Sequence, residues 1–297
     1  MDIKKILVVG GSGQLGKALL KVLQNSFDVF GTYHQNFSEG LIHLDITDKE
    51  EVERIIASIK PNLIINAVAM MPADKCETFP EMAEKIHVKG NENLIGACSR
   101  LGSKLIFISS YYVFDGEKGY YAESDLPHPL NIYGLTKLRG EQSTLQQRNN
   151  LVIRVSKIYS LGYDDRNFLA RTIHDFKQGA KITVTNDQFN NPISADDLSL
   201  AIKKLIEIDA AGIYHVGGPD YLSNYEFALI IAKYFRFDKK LVVPQSSEQF
   251  KSVAKRPKNC ALSIEKLINK TGYKPNSIEK NISQLKDDQT GIYTATG

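Results

Sequence analysis

The chain has 297 residues, with 37 lysines and arginines against 34 acidic residues, and its net charge of +3 is too small to indicate nucleic-acid binding. Its three cysteines are widely separated and give neither a disulfide framework nor zinc spacing, and no apolar stretch is long enough to span a bilayer. We therefore expect a cytoplasmic protein with no metal site and no membrane contact, formed by one large domain or by a domain with a smaller partner.

Short apolar runs alternate with helical patterns through the first half of the chain. The apolar runs predict strands at residues 6–9, 29–33, 42–45, 63–66, 104–109 and 151–155. The helical patterns predict helices at residues 16–24, 48–59, 81–101 and 130–147. Continuous apolar strands separated by helices are typical of a parallel sheet that is covered on both faces.

After about residue 160 the segments become shorter and more mixed. They predict strands at residues 181–184 and 213–216 and a helix at 223–235. We expect residues 1–160, with about 181–218, to form a nucleotide-binding domain. About 161–180 and 219–297 are expected to form a smaller substrate-binding lobe.

A glycine-rich turn lies between the first strand and the first helix. Gly10, Gly13 and Gly16 follow a G-x-x-G-x-x-G spacing, and Gln14 and Leu15 complete the turn. Glycines here permit a tight turn, let backbone N–H groups approach a pyrophosphate, and let the helix pack on the strand. The helix N-terminus then stabilises the negative charge. The predicted fold class is therefore α/β: a doubly wound parallel-sheet dinucleotide-binding (Rossmann) fold with a smaller, mostly C-terminal lobe.

The end of the second strand bears on the choice of cofactor. A site for NAD usually has an acidic residue there to bind the ribose 2′-hydroxyl, whereas this strand continues into His34 and Gln35. A histidine or glutamine tolerates a 2′-phosphate, so the sequence favours NADPH, with NADH as the alternative because no arginine is present either. Asp45, after the third strand, is expected either to bind the adenine edge or to cap the following turn.

Three residues form a candidate catalytic group. Tyr133 and Lys137 lie four residues apart on a predicted helix and project from the same face. An ammonium about 4 Å from the phenol, at an effective dielectric near 20, favours the phenolate by about 4 kcal/mol and would lower the pKa of Tyr133. Ser110, at the end of the fifth strand, can donate a hydrogen bond to the same carbonyl oxygen.

These residues give the chain a clear resemblance to the extended short-chain dehydrogenases/reductases. Within that superfamily it most resembles the dTDP-4-dehydrorhamnose reductase family. The similar segments are the glycine turn and residues 44–48, 66–69, 109–110, 112–116, 129–141, 167–168, 187–188, 196–198 and 256–259.

The resemblance implies NADPH-dependent reduction of the 4-keto group of a nucleotide-linked 4-keto-6-deoxy sugar, as in dTDP-rhamnose biosynthesis. It implies that Tyr133 protonates the oxygen, that Lys137 lowers the tyrosine pKa and holds the ribose, and that Ser110 polarises the carbonyl. It also implies further cofactor contacts at Ile46, Asn66, Ala67 and Ala69. A homodimer is expected by the same analogy.

The chain departs from the family pattern where the sugar is expected. Tyr111, before Tyr112, replaces an acidic residue, and Lys157 replaces a tryptophan. These positions, with Asn167 and Arg256, are the candidate substrate residues. His87 replaces a helix asparagine, for which a structural role is the better interpretation.

The basic cluster that contains Arg256 has two readings. It comprises Lys251, Lys255, Arg256 and Lys258. It is either a solvated face or a patch that contacts a diphosphate.

Two alternatives to the reductase stay open. A nucleotide-sugar epimerase or dehydratase would use the same three residues, although a dehydratase usually has an acidic pair where Tyr111 and Tyr112 stand. A regulatory subunit that resembles the β subunit of methionine adenosyltransferase would share the segments around residues 112–116 and 133–137. That subunit also lacks the pocket tryptophan.

Overall fold

The computed structural model describes residues 3–160, 162 and 167–288. Its strands are β1 (Lys5–Val9), β2 (Asp28–Tyr33), β3 (Ile42–His43), β4 (Leu63–Asn66), β5 (Lys104–Ser110), β6 (Leu151–Val155), β7 (Ile158–Tyr159), β8 (Ile182–Thr185), β9 (Phe189–Asn190), β10 (Ile193–Ser194), β11 (Gly212–Val216), β12 (Leu222–Ser223) and β13 (Val242–Gln245).

The helices alternate with these strands. They are α1 (Gln14–Leu23), α2 (Lys49–Ile59), α3 (Ala73–Thr78), α4 (Pro80–Glu84), α5 (Gly90–Leu101), α6 (Ile132–Leu145), α7 (Phe168–Lys177), α8 (Ala195–Glu207), α9 (Asn224–Phe235), α10 (Glu265–Thr271) and α11 (Ile278–Asp288). A π-helical turn over Lys85–Lys89 joins α4 to α5, and a 3₁₀ turn over Tyr111–Val113 follows β5.

Within the described residues, seven parallel strands form the main sheet in the order β11-β6-β5-β4-β1-β2-β3. The strand order reverses between β1 and β4. Ligands of open α/β sheets bind outside the carboxyl ends of the strands at this point. The glycine turn after β1 and the loop after β4 both lie there, so the topology places the predicted nucleotide site at the switch point.

Both faces of the sheet are covered, which explains why its strands are apolar throughout. One face packs against α1 and α8, through side chains such as Leu19 and Leu198. The other face packs against α2 and α5, through side chains such as Ile56 and Leu94. The predicted α/β Rossmann class is confirmed.

A second apolar core lies outside the main sheet. Helices α7, α9 and α11 pack there around side chains such as Tyr159, Ile173 and Phe227. The strand predicted at residues 181–184 is β8, which pairs with β13 rather than with the main sheet. Of the described strands within residues 181–218, only β11 belongs to the main sheet. The division into domains remains a prediction.

Two predicted elements differ in detail. The helix predicted over residues 81–101 is interrupted by the π-helical turn, which has His87 at its centre. The third strand ends at His43, because the side chain of Asp45 accepts hydrogen bonds from the backbone and hydroxyl of Thr47 and turns the chain.

Candidate active site

The glycine turn wraps closely around the start of α1. Gly10 has a φ of +85°, which favours glycine, and its carbonyl accepts a hydrogen bond from the Gly13 N–H at 3.1 Å. A Cβ on Gly16 would lie 2.1 Å from the Gly10 oxygen, so no side chain fits there. The glycine spacing is therefore required by the packing of the helix on the turn.

The N-terminus of α1 is suited to an anion. Gly13 is its N-cap and has no side chain to cap the first backbone N–H groups. A Cβ on Gly13 would meet only the Gly10 oxygen, at 3.4 Å, so the space above the turn is open. Uncapped N–H groups at a helix N-terminus fit the pyrophosphate of a dinucleotide, and the residues present therefore fit the expected cofactor.

The other residues predicted to bind the cofactor surround this turn. Gln14 donates to the Ser160 hydroxyl at 3.0 Å, and the buried Leu15 packs its side chain into the core. Asn66, at the end of β4, accepts from the Val68 N–H and donates to Asn91. The neighbouring Ala67 is half-buried and Ala69 is exposed, both in the loop that faces the switch point.

His34 and Asp45 lie together just after the ends of β2 and β3. The His34 Nε2 is 3.7 Å from an Asp45 carboxylate oxygen. Burial raises the pKa of Asp45, but the hydrogen bonds from Thr47 and the charge of His34 bring it below the usual value. Asp45 thus caps the turn that follows β3, which is one of the two roles expected for it. Ile46 is buried beneath it against Gly90.

Ser110 and Tyr133 meet at the carboxyl end of β5. Ser110 ends the strand, and its hydroxyl lies near enough to the Tyr133 phenol to lower the pKa of that phenol. Gly134 allows this approach, since a Cβ there would lie 2.1 Å from the Tyr112 carbonyl oxygen. Asn131 caps α6 by accepting from the Gly134 N–H. The structure therefore brings together the two hydroxyl groups of the candidate catalytic group.

The electrostatics of Tyr133 differ from the sequence-based expectation. Burial is the largest effect and raises the pKa of Tyr133 above its usual value, while the hydrogen bond from Ser110 opposes it. Burial also lowers the pKa of Lys137 to about 7. The prediction that Lys137 sets a low pKa for the phenol neglected the cost of burying both groups.

Lys137 lies one helical turn after Tyr133 and is almost fully buried. Its Nζ is 4.3 Å from the centroid of the Phe107 ring on β5. A cation over an aromatic face is stabilised by the ring quadrupole. The three predicted catalytic residues thus lie together, where the carboxyl end of β5 meets the first turns of α6.

His87 holds the backbone around this group. Its Nε2 accepts from the Met70 N–H and its Nδ1 donates to the Thr136 hydroxyl, both at 2.8 Å. Burial, with the charge of Lys137, lowers the pKa of His87 to about 2. The imidazole is therefore a neutral link between the loop after β4 and α6, as the structural interpretation expected.

The two tyrosines that follow Ser110 line the side of the site facing the lobe. Tyr111 and Tyr112 are half-buried and in contact, with ring centroids 4.7 Å apart. Burial raises the pKa of both phenols, so both are neutral. The ring of Tyr112 also packs edge-on against Tyr133 at 5.4 Å.

Arg256 connects the C-terminal part of the chain to this wall. Its guanidinium forms an ion pair with Asp74 of α3 at 2.5 Å and lies near the Tyr112 phenol. Asp74 also accepts from the Ala254 N–H, and Asn131 donates to the Lys255 carbonyl. Asp74 is a partner that the sequence did not reveal. Within the cluster, Arg256 is thus half-buried, whereas Lys251, Lys255 and Lys258 are exposed.

The remaining candidate substrate residues lie at the start of the lobe. Lys157 donates to Asn224 at 2.5 Å, and its Nζ is 3.9 Å from the centroid of Phe168. Burial, followed by the charges of Arg256 and Arg171, lowers the pKa of Lys157 to about 7. Asn167 caps α7, accepting from the Leu169 and Ala170 N–H groups, so the structure gives its side chain a structural role.

The described part of the chain offers no cluster of three or more histidine, cysteine or acidic side chains that could hold a metal ion. Cys76, Cys98 and Cys260 are unpaired and buried. In the same part of the chain, the helices are too short or too polar to cross a bilayer.

Known proteins share this fold. The family model described as "RmlD substrate binding domain" matches residues 4–290. A dTDP-4-dehydrorhamnose reductase from Aggregatibacter actinomycetemcomitans is 32% identical over 95% of this chain and 98% of its own. The solved structure of a dTDP-4-dehydrorhamnose reductase from Bacillus anthracis, in complex with NADP, has a TM-score of 0.87 and 31% identity, covering 96% of this chain and 99% of that one.

A relative with a different name is almost as similar. The methionine adenosyltransferase 2 subunit beta of Xenopus laevis is 31% identical, covering 89% of this chain and 81% of its own.

The fold and the site define an extended short-chain dehydrogenase/reductase, a class of oxidoreductases. Within it, the chain belongs to the RmlD substrate binding domain family. Both parts of the family resemblance are thereby confirmed.

Proposed function

We propose that this protein uses NADPH to reduce the 4-keto group of a nucleotide-linked 4-keto-6-deoxy sugar. The observation that carries the proposal is the grouping of Ser110 and Tyr133, with Lys137 one turn away, at the carboxyl edge of the sheet beside the glycine turn. The reductase names of the relatives and the NADP bound by one of them support the substrate class and the cofactor.

When bound, the nicotinamide supplies the hydride that adds to the carbonyl carbon. Ser110 donates a hydrogen bond to the carbonyl oxygen and holds it against the phenol. Tyr133 donates its proton to the same oxygen as negative charge develops there. Because burial favours the neutral phenol, Tyr133 retains that proton until the oxygen becomes basic enough to take it. Lys137, in its charged form, stabilises the phenolate that is left.

The site excludes water from the phenol. Tyr133 is 7% exposed and is enclosed by the rings of His87 and Tyr112. A low local dielectric strengthens the hydrogen bond from Ser110 and the charge of Lys137. We infer that the sugar approaches from the side of Tyr111, Tyr112 and Lys157, and that Arg256 lies near its diphosphate.

NADPH is preferred over NADH in this proposal because no carboxylate follows β2. His34 is half-exposed beside Asp45, just after β2, where the 2′-phosphate would bind. The proposal also includes a cytoplasmic location, which the three unpaired cysteines support, and a homodimer by family analogy.

A second candidate function is that of a regulatory subunit. The similarity to the methionine adenosyltransferase 2 subunit beta favours it, together with Lys157 and Tyr111 at the two altered pocket positions. Such a protein would bind the dinucleotide without reducing a sugar. The intact arrangement of Ser110, Tyr133 and Lys137 favours the reductase.

One experiment separates the two functions. The protein is incubated with NADPH and a panel of nucleotide-linked 4-keto-6-deoxy sugars that differ in base and configuration, and the nicotinamide absorbance is followed. Stoichiometric oxidation with at least one sugar supports the reductase. Tight NADPH binding without oxidation on the whole panel overturns it and favours the regulatory subunit. Cofactor release during turnover excludes an epimerase, which would retain its cofactor.

A further inference from the structure

Glu141 is a buried carboxylate directly behind the candidate catalytic group. It lies one helical turn after Lys137 on α6, and both side chains are about 1% exposed. Its carboxylate receives hydrogen bonds from Arg154 at 2.8–3.1 Å and from the Ser109 hydroxyl at 2.5 Å. A buried carboxylate in water-free surroundings requires such partners.

The partners of Glu141 come from adjacent strands in register. Ser109 on β5 lies beside Arg154 on β6, and Arg154 lies beside His215 on β11. Arg154 also contacts the His215 Nε2 at 3.4 Å, while the His215 Nδ1 bonds to the Tyr121 carbonyl at 2.9 Å. Glu141 therefore joins the helix of Tyr133 to three strands of the sheet, one residue away from Ser110.

The groups around Lys137 leave Glu141 as its source of negative charge. From α3 it is faced by Cys76, whose thiol pKa burial raises to about 11, and from the π-helical turn by His87, which is neutral. The Phe107 ring of β5 covers it, and Tyr133 on its own helix is protonated. Burial disfavours the ammonium, and among the described residues the charge of Glu141 is the largest effect that opposes burial.

Arg154 is the direct partner of this carboxylate, at 2.8 Å, while Lys137, one helical turn before Glu141, is stabilised by its charge. One buried anion thus acts on two buried cations. His215 adds no charge, because burial and Arg154 lower its pKa to about 3. We therefore expect the charge of Glu141 to raise the pKa of Lys137 and the charge of Arg154 to lower it.

We propose that Glu141 is a positioning residue that balances the buried ammonium of Lys137 and fixes α6 against the strand that ends in Ser110. The role of Lys137 in turnover rests on the proposed function, whereas the electrostatic coupling can be measured in the free protein. Glu141 would act through Lys137 and would not touch the sugar.

The test is the titration of Lys137 by NMR with lysine labelled with ¹³C at Cε. The Lys137 signal is the one absent from the spectrum of the Lys137→Met variant. Removing the carboxylate in Glu141→Gln should lower the Lys137 pKa by about one unit or more. Removing the guanidinium in Arg154→Met should raise it. The control Arg139→Gln removes an exposed cation of the same helix and should leave it unchanged.

These variants separate an electrostatic role from a structural one. If only packing were lost, the Lys137 pKa would shift in the same direction in Glu141→Gln and Arg154→Met, because both variants break the same ion pair. Equal shifts in the same direction, or no shift in Glu141→Gln, would overturn the proposal. If the unpaired Arg154 prevents Glu141→Gln from folding, the double variant Glu141→Gln/Arg154→Met removes both charges. Its Lys137 pKa should lie below that of Arg154→Met, and equal values would overturn the proposal.

Turnover provides a second readout that distinguishes this inference from the proposed function. With a sugar that the panel identifies, Glu141→Gln should displace the pH–rate profile to lower pH, since Lys137 is then charged only there. An unchanged profile would overturn the positioning role. If no sugar is reduced, the proposed function fails, while the opposed pKa shifts still decide the coupling between Glu141 and Lys137.

Discussion

The imidazole of His87 packs edge-on against the phenol ring of Tyr133, with the two ring centroids 5.5 Å apart. The same imidazole is hydrogen-bonded to the Met70 N–H and to the Thr136 hydroxyl. It lies in a π-helical turn, an irregularity that is frequent at functional sites. His87 therefore links the loop after β4 to the helix that carries Tyr133 and Lys137.

Replacing His87 with alanine should destabilise the fold. The substitution removes two buried hydrogen bonds, leaves the Met70 N–H without a partner and opens a cavity, so the free energy of unfolding should fall by about 2–4 kcal/mol. Urea denaturation at pH 7.5 measures this loss. The control is His128→Ala, whose side chain is 77% exposed, and its effect should stay below about 0.5 kcal/mol. Equal effects for the two variants would contradict the role given to His87.

The buried histidines should also make stability depend on pH. The pKa of His87 is lowered to about 2 and that of His215 to about 3, whereas both bind a proton below about pH 6.5 in the unfolded chain. Their contribution is therefore complete above pH 6.5 and is lost as the pH falls below it. We expect the free energy of unfolding to decrease by about 1–3 kcal/mol between pH 7.5 and 5.5.

Urea denaturation across this range provides the check, and a His87→Asn variant should lose less stability as the pH falls, because one of the two buried histidines is then absent. The carboxylates with lowered pKa, such as Asp45 and Asp115, titrate below this range, whereas Lys137 and Lys157, whose pKa burial lowers to about 7, add a further loss in the same direction. A stability that is constant from pH 7.5 to 5.5 would contradict neutral, buried imidazoles.

Two glycines of the turn should respond differently to alanine. A Cβ on Gly16 would lie 2.1 Å from the Gly10 oxygen, so Gly16→Ala should destabilise the fold by more than about 2 kcal/mol. A Cβ on Gly13 meets only an ordinary contact at 3.4 Å, so Gly13→Ala should fold normally but weaken NADPH binding by about tenfold, by obstructing the pyrophosphate. Thermal unfolding and NADPH titration together measure both effects. Undiminished NADPH affinity in Gly13→Ala would argue against a cofactor at this helix terminus.

Lys157 should make sugar binding depend on pH. Burial, with the charges of Arg256 and Arg171, lowers its pKa to about 7, so its positive charge is lost as the pH rises above 7. If Lys157 attracts the anionic substrate, KM for the sugar should rise by about three- to tenfold between pH 6.5 and 8.5. In Lys157→Gln the KM should be higher at pH 6.5 and nearly flat with pH, with NADPH affinity unchanged. Parallel pH dependence in both proteins would exclude Lys157 from substrate binding.

The sequence predicted the nucleotide-binding half well because its signals are local. Apolar runs such as Leu63–Asn66 and the glycine turn depend on neighbouring residues, and the structure reproduces them with boundaries shifted by one or two positions. The cap of α2 is Asp48, which accepts from the Glu51 N–H as the capping pattern requires. The spacing of Tyr133 and Lys137 likewise follows from helical geometry alone.

Long-range contacts were the part that the sequence could not reveal. The pairing of Glu141 with Arg154 depends on the register of β5 and β6, and that of Asp74 with Arg256 joins residues from distant parts of the chain. The π-helical turn at His87 has no periodicity that distinguishes it from the flanking helix. Burial also reversed the expected pKa change of Tyr133, because desolvation depends on how the whole site packs.

The most direct test replaces Tyr133, whose phenol lies beside Ser110 and is proposed as the proton donor. The wild type and Tyr133→Phe are compared for NADPH affinity and for the rate of NADPH oxidation with a nucleotide-linked 4-keto-6-deoxy sugar. We expect Tyr133→Phe to lose about 100-fold or more in kcat while its NADPH affinity is nearly unchanged. A Tyr133→Phe variant that retains full activity would show that Tyr133 is not the proton donor.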